Sequence, residues 1–279
     1  SGGYESYTGI SPALVGTSMP AAIAEAAHDT LIVLFPAQAE SFDQQLVNDL
    51  APIAEGGAKT DGIVLGQRAA QAILAMRAND GSERAEPHID VDFTTGDQPG
   101  QWREDPVSRN TVALGAHWGE VEPFVIQSAS QFRVPPPPAL DSADYAIAFG
   151  EVKSVGGCGD ACPPGVIVTP TVRTQEQTYI GLFWAYDGTP SLCAPPRLYN
   201  QIANQIATER GATVVELARL LALVNVAMAD AGIAVWDSKY FYEYWRPVTG
   251  IRESDVGTGP SGLGDGNAAI EIIIKTIGN

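Results

Sequence analysis

TVVELARLLALVNVAMADAGIAVWDSKYFYEYWRPVTGIR, residues 213–252, is the stretch on which the fold turns. Its early part is rich in Ala, Leu and Val on most sides, the pattern of a helix surrounded by apolar contacts. From Leu217 to Trp236 the polar interruptions are Arg219, Asn225 and Asp230. They favour a buried central helix over a membrane span. The helix is expected to run from Thr213 to Trp245, with Gly232 as a kink or break and Pro247 just beyond its end.

Working outward, the same periodicity recurs. Residues 20–35 place apolar side chains at three-and-four spacing, with Ser18 as a cap and Pro36 beyond the end. Residues 41–53 put Phe42, Leu46 and Leu50 on one face. Residues 58–79 carry a stripe of Ile63, Ala69, Ala70, Ile73 and Leu74, stopped by Asn79-Asp80-Gly81. Further helices are expected at 141–154, capped by Asp141 or Ser142, at 174–186 and at 195–210. Residues 81–140 are rich in breakers and end in Pro135 to Pro138, which reads as a stiff surface strap. So long a loop-rich span inside a domain points to a functional face or to packing against something else. No alternating run demands a sheet and no repeat recurs, so the fold class is mainly α.

Composition limits function. The chain has 279 residues, 33 acidic against 16 basic, and a formal net charge of −17. At 45% hydrophobic and 18% charged it is globular in composition. An acidic surface repels phosphate backbones, which excludes nucleic-acid binding. The start, Ser1-Gly2-Gly3-Tyr4, has neither a charged segment nor an apolar run, so no signal peptide is read there. Cys158 and Cys162 share a Gly-rich loop, and Cys193 lies in a Pro-rich one. Three cysteines make no disulfide framework, and no second pair or nearby His completes a zinc site. Either Cys158 and Cys162 form one loop-stapling bridge or the thiols are free. A bridge favours a secreted or periplasmic location over the cytoplasm.

Chemistry concentrates in Trp236-Asp237-Ser238-Lys239-Tyr240-Phe241-Tyr242-Glu243-Tyr244-Trp245-Arg246-Pro247. Lys239 and Arg246 are seven residues apart. On a continuous helix they share a face about 10.5 Å apart along the axis. Two long cations on one side converge on a single anion, Lys as a point charge and Arg as a planar fork. Five aromatics lie between them and lower the local dielectric. The competing reading pairs Lys239 with Glu243, uses Arg246 at the helix terminus, and makes the aromatics core.

Residues 229–252 resemble the vanadium-dependent haloperoxidase family, within the superfamily of type 2 phosphatidic-acid phosphatases and bacterial acid phosphatases. Lys239, six residues, then Arg246-Pro247 match its first anion-binding motif. Ala26-Ala27-His28-Asp29-Thr30-Leu31 with Leu34-Phe35-Pro36, Arg77 to Gly81 and Gly100-Gln101-Trp102-Arg103 extend the likeness. So do Trp118 with Pro123-Phe124, and Ser130 to Arg133 with the prolines. All are similar to the bacterial chloroperoxidase-like branch, over residues 3–267. The resemblance implies an all-helical fold built on helix bundles and a vanadate cofactor bound by Lys239 and Arg246. It further implies peroxide and halide as small substrates, and leaves a homo-oligomer open.

The family's two later motifs are not found. One is Pro-Ser-Gly-His, the other a second Arg with the His that bonds vanadium or attacks phosphorus. Pro260-Ser261-Gly262 is followed by Leu263 and reads as a plain turn. His28 reads as a structural histidine on a helix face, His88 as part of a solvated acidic loop with Asp90 and Asp92, and His117 as structural. No catalytic residue is therefore identifiable in the chain. Residues 1–267 are expected to form the N-terminal and central part of one haloperoxidase-like domain, with 268–279 an atypical Ile-rich tail. The expected function is a vanadate-dependent haloperoxidase of which this chain supplies the first half of the oxyanion cage. The alternatives are an acid phosphatase on the same fold, or a non-catalytic scaffold that has lost the reaction centre.

Overall fold

The computed structural model describes residues 4–104, 110–157, 170–184 and 195–254. Among them are eight α-helices and no strand: α1 Met19–Leu34, α2 Ala39–Leu50, α3 Gly57–Arg77, α4 Ala143–Gly156, α5 Gln175–Trp184, α6 Pro195–Glu209, α7 Val214–Tyr242 and α8 Pro247–Ser254. The mainly α expectation holds, and each expected helix forms within a few residues of its predicted bounds. Cys158, Cys162, Cys193, Ser261 and the Ile-rich tail lie outside the described residues. The chain divides into two compact units, Ser1–Asp80 with Gln201–Val224, and Gly81–Asn200 with Asn225–Asn279.

In the first unit α1 packs along α3, with α2 against α1. The predicted cap is real, since Ser18 Oγ accepts the Ala21 N–H at 3.4 Å. Phe42, Leu46 and Leu50 are partly covered while most of α2 faces solvent. The seam between α1 and α3 is tighter than the apolar stripe suggests. Gly62 and Gly66 are buried one turn apart. A Cβ on Gly66 would lie 2.6 Å from the Ala22 carbonyl oxygen and 2.9 Å from the Ala26 nitrogen. Glu25, buried against this seam, accepts from Gln67 Nε2 at 2.9 Å. Asn79, with φ 62°, ends the helical run as its left-handed tolerance allows.

In the second unit loops wrap the C-terminal part of α7. Residues 81–140 hold two 3-10 turns, Trp118–Glu120 and Ala129–Phe132. Val121, Ala129 and Ile233 form one buried cluster. Tyr145, Phe149 and Trp245 form another, with Leu140, Tyr244 and Ile251 packed against it. The proline strap runs beside the helix end, where Tyr242 Oη donates to the Val134 carbonyl (2.8 Å) and Tyr244 Oη to that of Pro138 (3.4 Å).

Three expectations about the deciding stretch are corrected. α7 continues through Gly232 without a break, because the helix hydrogen bonds compensate the glycine's entropy cost of about 1 kcal/mol. It is also less buried than its composition implies. It is long and apolar enough to cross a membrane by those criteria alone, yet only 17% of its most apolar stretch is covered. Apolar sequence states what a helix tolerates, not what packs on it. Finally, the helix ends at Tyr242 rather than Trp245. Glu243 turns left-handed (φ 42°), and residues 243–245 pair with the loop at 100–102. The Trp102 N–H donates to the Glu243 carbonyl at 2.6 Å, and the Trp245 N–H to that of Gly100 at 2.9 Å. Pro247 then opens α8, which the sequence reading did not anticipate.

Candidate functional site

The break at Glu243 changes how Lys239 and Arg246 are presented. Lys239 stands in the last turn of α7. Arg246 precedes α8, and its carbonyl accepts the Thr249 and Gly250 N–H groups at 3.0 and 3.2 Å. The two cations therefore do not share one helix face. They are nonetheless close enough for the Arg246 charge to act on Lys239. Partial burial first, and that neighbouring charge second, hold the Lys239 ammonium below the ordinary lysine pKa. Buried Trp245 anchors the segment, while Arg246 beside it reaches solvent.

The expected alternative pairing of Lys239 with Glu243 is not formed. Among the described residues neither Lys239 nor Arg246 makes an ion pair. The Glu243 N–H still bonds the Lys239 carbonyl at 3.0 Å, and the left-handed φ of 42° at Glu243 ends the helix there. Lys239 Nζ instead lies 4.2 Å from the centroid of the Trp236 ring, a cation–π arrangement. Trp236 stacks on Tyr240 at 6.1 Å, and Tyr240 meets Phe93 (5.4 Å) and Trp102 (5.7 Å). Burial within this box pushes the Tyr240 hydroxyl up to about 12. It stays a neutral donor, bonded to the Leu114 carbonyl at 2.8 Å.

Carboxylates on the same helix are already engaged. Asp230, buried, accepts three loop N–H groups, from Phe124 (2.6 Å), Val125 (2.8 Å) and Ile126 (3.0 Å). Asp237 takes a two-pronged contact from Arg133, Nε to Oδ2 at 2.8 Å and Nη2 to Oδ1 at 2.9 Å. The Arg133 guanidinium lies 3.5 Å from the Phe241 ring centroid. Ser238 Oγ donates to the Ala234 carbonyl and accepts the Val134 N–H. Glu86 accepts from the Gly115 N–H (2.7 Å) and Trp118 Nε1 (3.2 Å). Two unpaired cations thus coexist with acids that spend their charge on loops. Lys239 rests on the Trp236 ring, and Arg246 lies near enough for its charge to act on both Lys239 and Tyr240.

Sequence reasoning singled out Lys239 and Arg246, which the structure brings near one another, but missed Asp230, Asp237, Arg133 and Glu86 as the groups that seat the loops. Asp230 and Asp237, seven apart on an apolar helix, were the available signal. Of the histidines, His28 bridges Asp29 (2.9 Å) and Asp43 (2.8 Å), tying α1 to α2. Its burial lowers the pKa, but the bonds to Asp43 and Asp29 outweigh that and raise it. The His88 N–H is bonded to Asp92 at 3.3 Å, and the described residues contain no group of three His, Cys or acidic side chains arranged for a metal.

Comparison with known proteins finds similarity to vanadium haloperoxidases. Residues 219–267 match the family model of the VCPO second helical-bundle domain. Over 139 residues the chain is 36% identical to a vanadium chloroperoxidase of Curvularia inaequalis, covering 47% of this chain and 22% of that protein. A solved structure, the first bacterial vanadium-dependent iodoperoxidase, superposes with a TM-score of 0.63 at 24% identity, over 88% of this chain and 58% of that one. The chain thus spans about a fifth of the curated relative's length in that match. The chain is similar to vanadium haloperoxidases over these spans and shares their helix-bundle fold.

Proposed function

We propose that this chain contributes Lys239 and Arg246 to the vanadate site of a haloperoxidase that oxidises halide with hydrogen peroxide. One observation carries the reading: in a chain of net charge −17, these two neighbouring cations have no acid partner among the described residues. Bound vanadate supplies the activation of peroxide toward halide. The chain's own part is to hold the oxyanion: Lys239 offers a compact charge against the Trp236 ring, and Arg246 a planar fork. The aromatic box limits water around Lys239 and strengthens its attraction for an anion. The family's acid–base histidine and second arginine are to be supplied by residues other than those described.

Titration of the protein with orthovanadate, followed by 51V NMR, tests the reading. Binding should occur, weaken with salt, and be displaced by phosphate. Lys239→Ala and Arg246→Ala should each weaken it about 10-fold to 100-fold, the loss of one charge-assisted contact. Vanadate-dependent bromination by the protein that carries this chain is the matching activity. Hydrolysis of a phosphomonoester without bromination would replace the proposal by the phosphatase alternative. Absence of vanadate binding would sink both.

A further inference from the structure

Gly115 presses its backbone onto the indole of Trp236. A Cβ at this position would lie 2.6 Å from Trp236 Cε2 and closer still to Cδ2. Its φ of 81° is also in the left-handed region, so any side chain meets both strain and the ring. The loop is pinned on two sides: the Gly115 N–H is bonded to Glu86 Oε2, and the preceding Leu114 carbonyl accepts from Tyr240 Oη. Glu86 is braced in turn by Trp118 Nε1. Loop and helix thus grip the same indole, and that indole floors the Lys239 ammonium.

We propose that Gly115 is a positioning residue for the oxyanion site: lacking a side chain, it lets the loop backbone lie on Trp236 and hold the indole against Lys239. This rests on the reading of Lys239 as an oxyanion ligand, but its first consequence is local to Lys239. The charged and titratable groups acting there are Arg246 on Lys239, and Glu86, Glu243 and Arg246 on the adjoining Tyr240. Of these only Glu86 is bonded to Gly115, and it acts on Tyr240 rather than on Lys239.

The test is Gly115→Ala, with the pH dependence of Lys239 acylation read by peptide mass spectrometry and vanadate binding read in parallel. Displacing the indole should rehydrate the ammonium, so the midpoint of the acylation profile moves up toward the ordinary lysine range. Vanadate binding should weaken about tenfold, with an unchanged circular dichroism spectrum. Gly211→Ala shares the left-handed backbone (φ 68°) but meets nothing within 4 Å, and should leave the Lys239 profile as it is. If Gly115→Ala gives no folded protein, Trp236→Ala removes the floor without the clash and should shift the profile in the same direction. A Lys239 profile unchanged in whichever variant folds overturns the positioning role. Lack of vanadate binding by the unaltered protein overturns the oxyanion reading instead, while the Lys239 profile still decides the role of Gly115.

Discussion

Replacing Asp230 by alanine should release the loop at 124–126 from α7. Asp230 is 5% exposed, and its carboxylate accepts three backbone N–H groups, at 2.6, 2.8 and 3.0 Å. A hydrogen bond to a charged group contributes about 1.5–3 kcal/mol. The three share one carboxylate, so their sum is not additive. Removing the acceptor also strands the loop donors away from bulk water. Together these give a cost of about 3–5 kcal/mol. Asp230→Asn should cost less, about 2–4 kcal/mol, because one oxygen remains while the new NH2 faces donors. Amide hydrogen exchange reads the effect where it arises. Protection at Phe124, Val125 and Ile126 should fall by about 100-fold or more in Asp230→Ala, while α1 and α3 keep theirs. Urea unfolding of the second unit should show the same loss. Protection within a factor of about two of the unaltered protein, with an unchanged unfolding midpoint, would refute the account of Asp230 as the anchor of this loop.

Two further outcomes follow from the first unit. His28 has a raised pKa in the fold, so its contribution is full below the unfolded histidine value of about 6.5 and is lost as pH rises through the folded value. The melting temperature gap between the unaltered protein and His28→Gln should therefore be widest near pH 5.5 and shrink toward pH 8.5; a gap that widens with pH would contradict the bridge to Asp29 and Asp43. Gly66→Ala should cost about 1–3 kcal/mol by overpacking the seam between α1 and α3, whereas Gly57→Ala, whose added methyl meets nothing within 4 Å, should be neutral or slightly stabilising. Equal unfolding midpoints for the two variants would show the seam to be looser than its geometry.

Much of the site was legible before the fold was known. Lys239, Arg246 and Pro247 carry the family resemblance in the sequence, and Ser18 and Ser142 announce their helices as caps. Of the loop segments that carried the family resemblance, those at 100–103, 123–124 and 130–133 dock on α7 or on the residues just past its end. Gly100 and Trp102 bond to Trp245 and Glu243, Phe124 bonds to Asp230, and Arg133 to Asp237. Their partners lie 104 to 145 residues away, and no local periodicity encodes such a distance. Gly62, Gly66 and Gly115 were silent for the same reason. A missing side chain gains meaning only when another backbone or ring occupies its place.

By itself the sequence determined seven of the eight described helices, the caps at Ser18 and Ser142 and the two cations, because these depend on side chains three, four or seven residues apart. It also set the acidic background against which two cations stand out. Only the tertiary structure decided that α7 passes Gly232 unbroken and stops at Tyr242. It also decided that Glu243 makes no ion pair with Lys239, and that Trp236 lies under the ammonium. Those choices are made by long-range contacts, above all the pairing of residues 243–245 with the loop at 100–102 and the closure of Gly115 on the indole. Helix propensity differs by less than about 1 kcal/mol per ordinary residue. A few hydrogen bonds and one buried tryptophan are enough to override it.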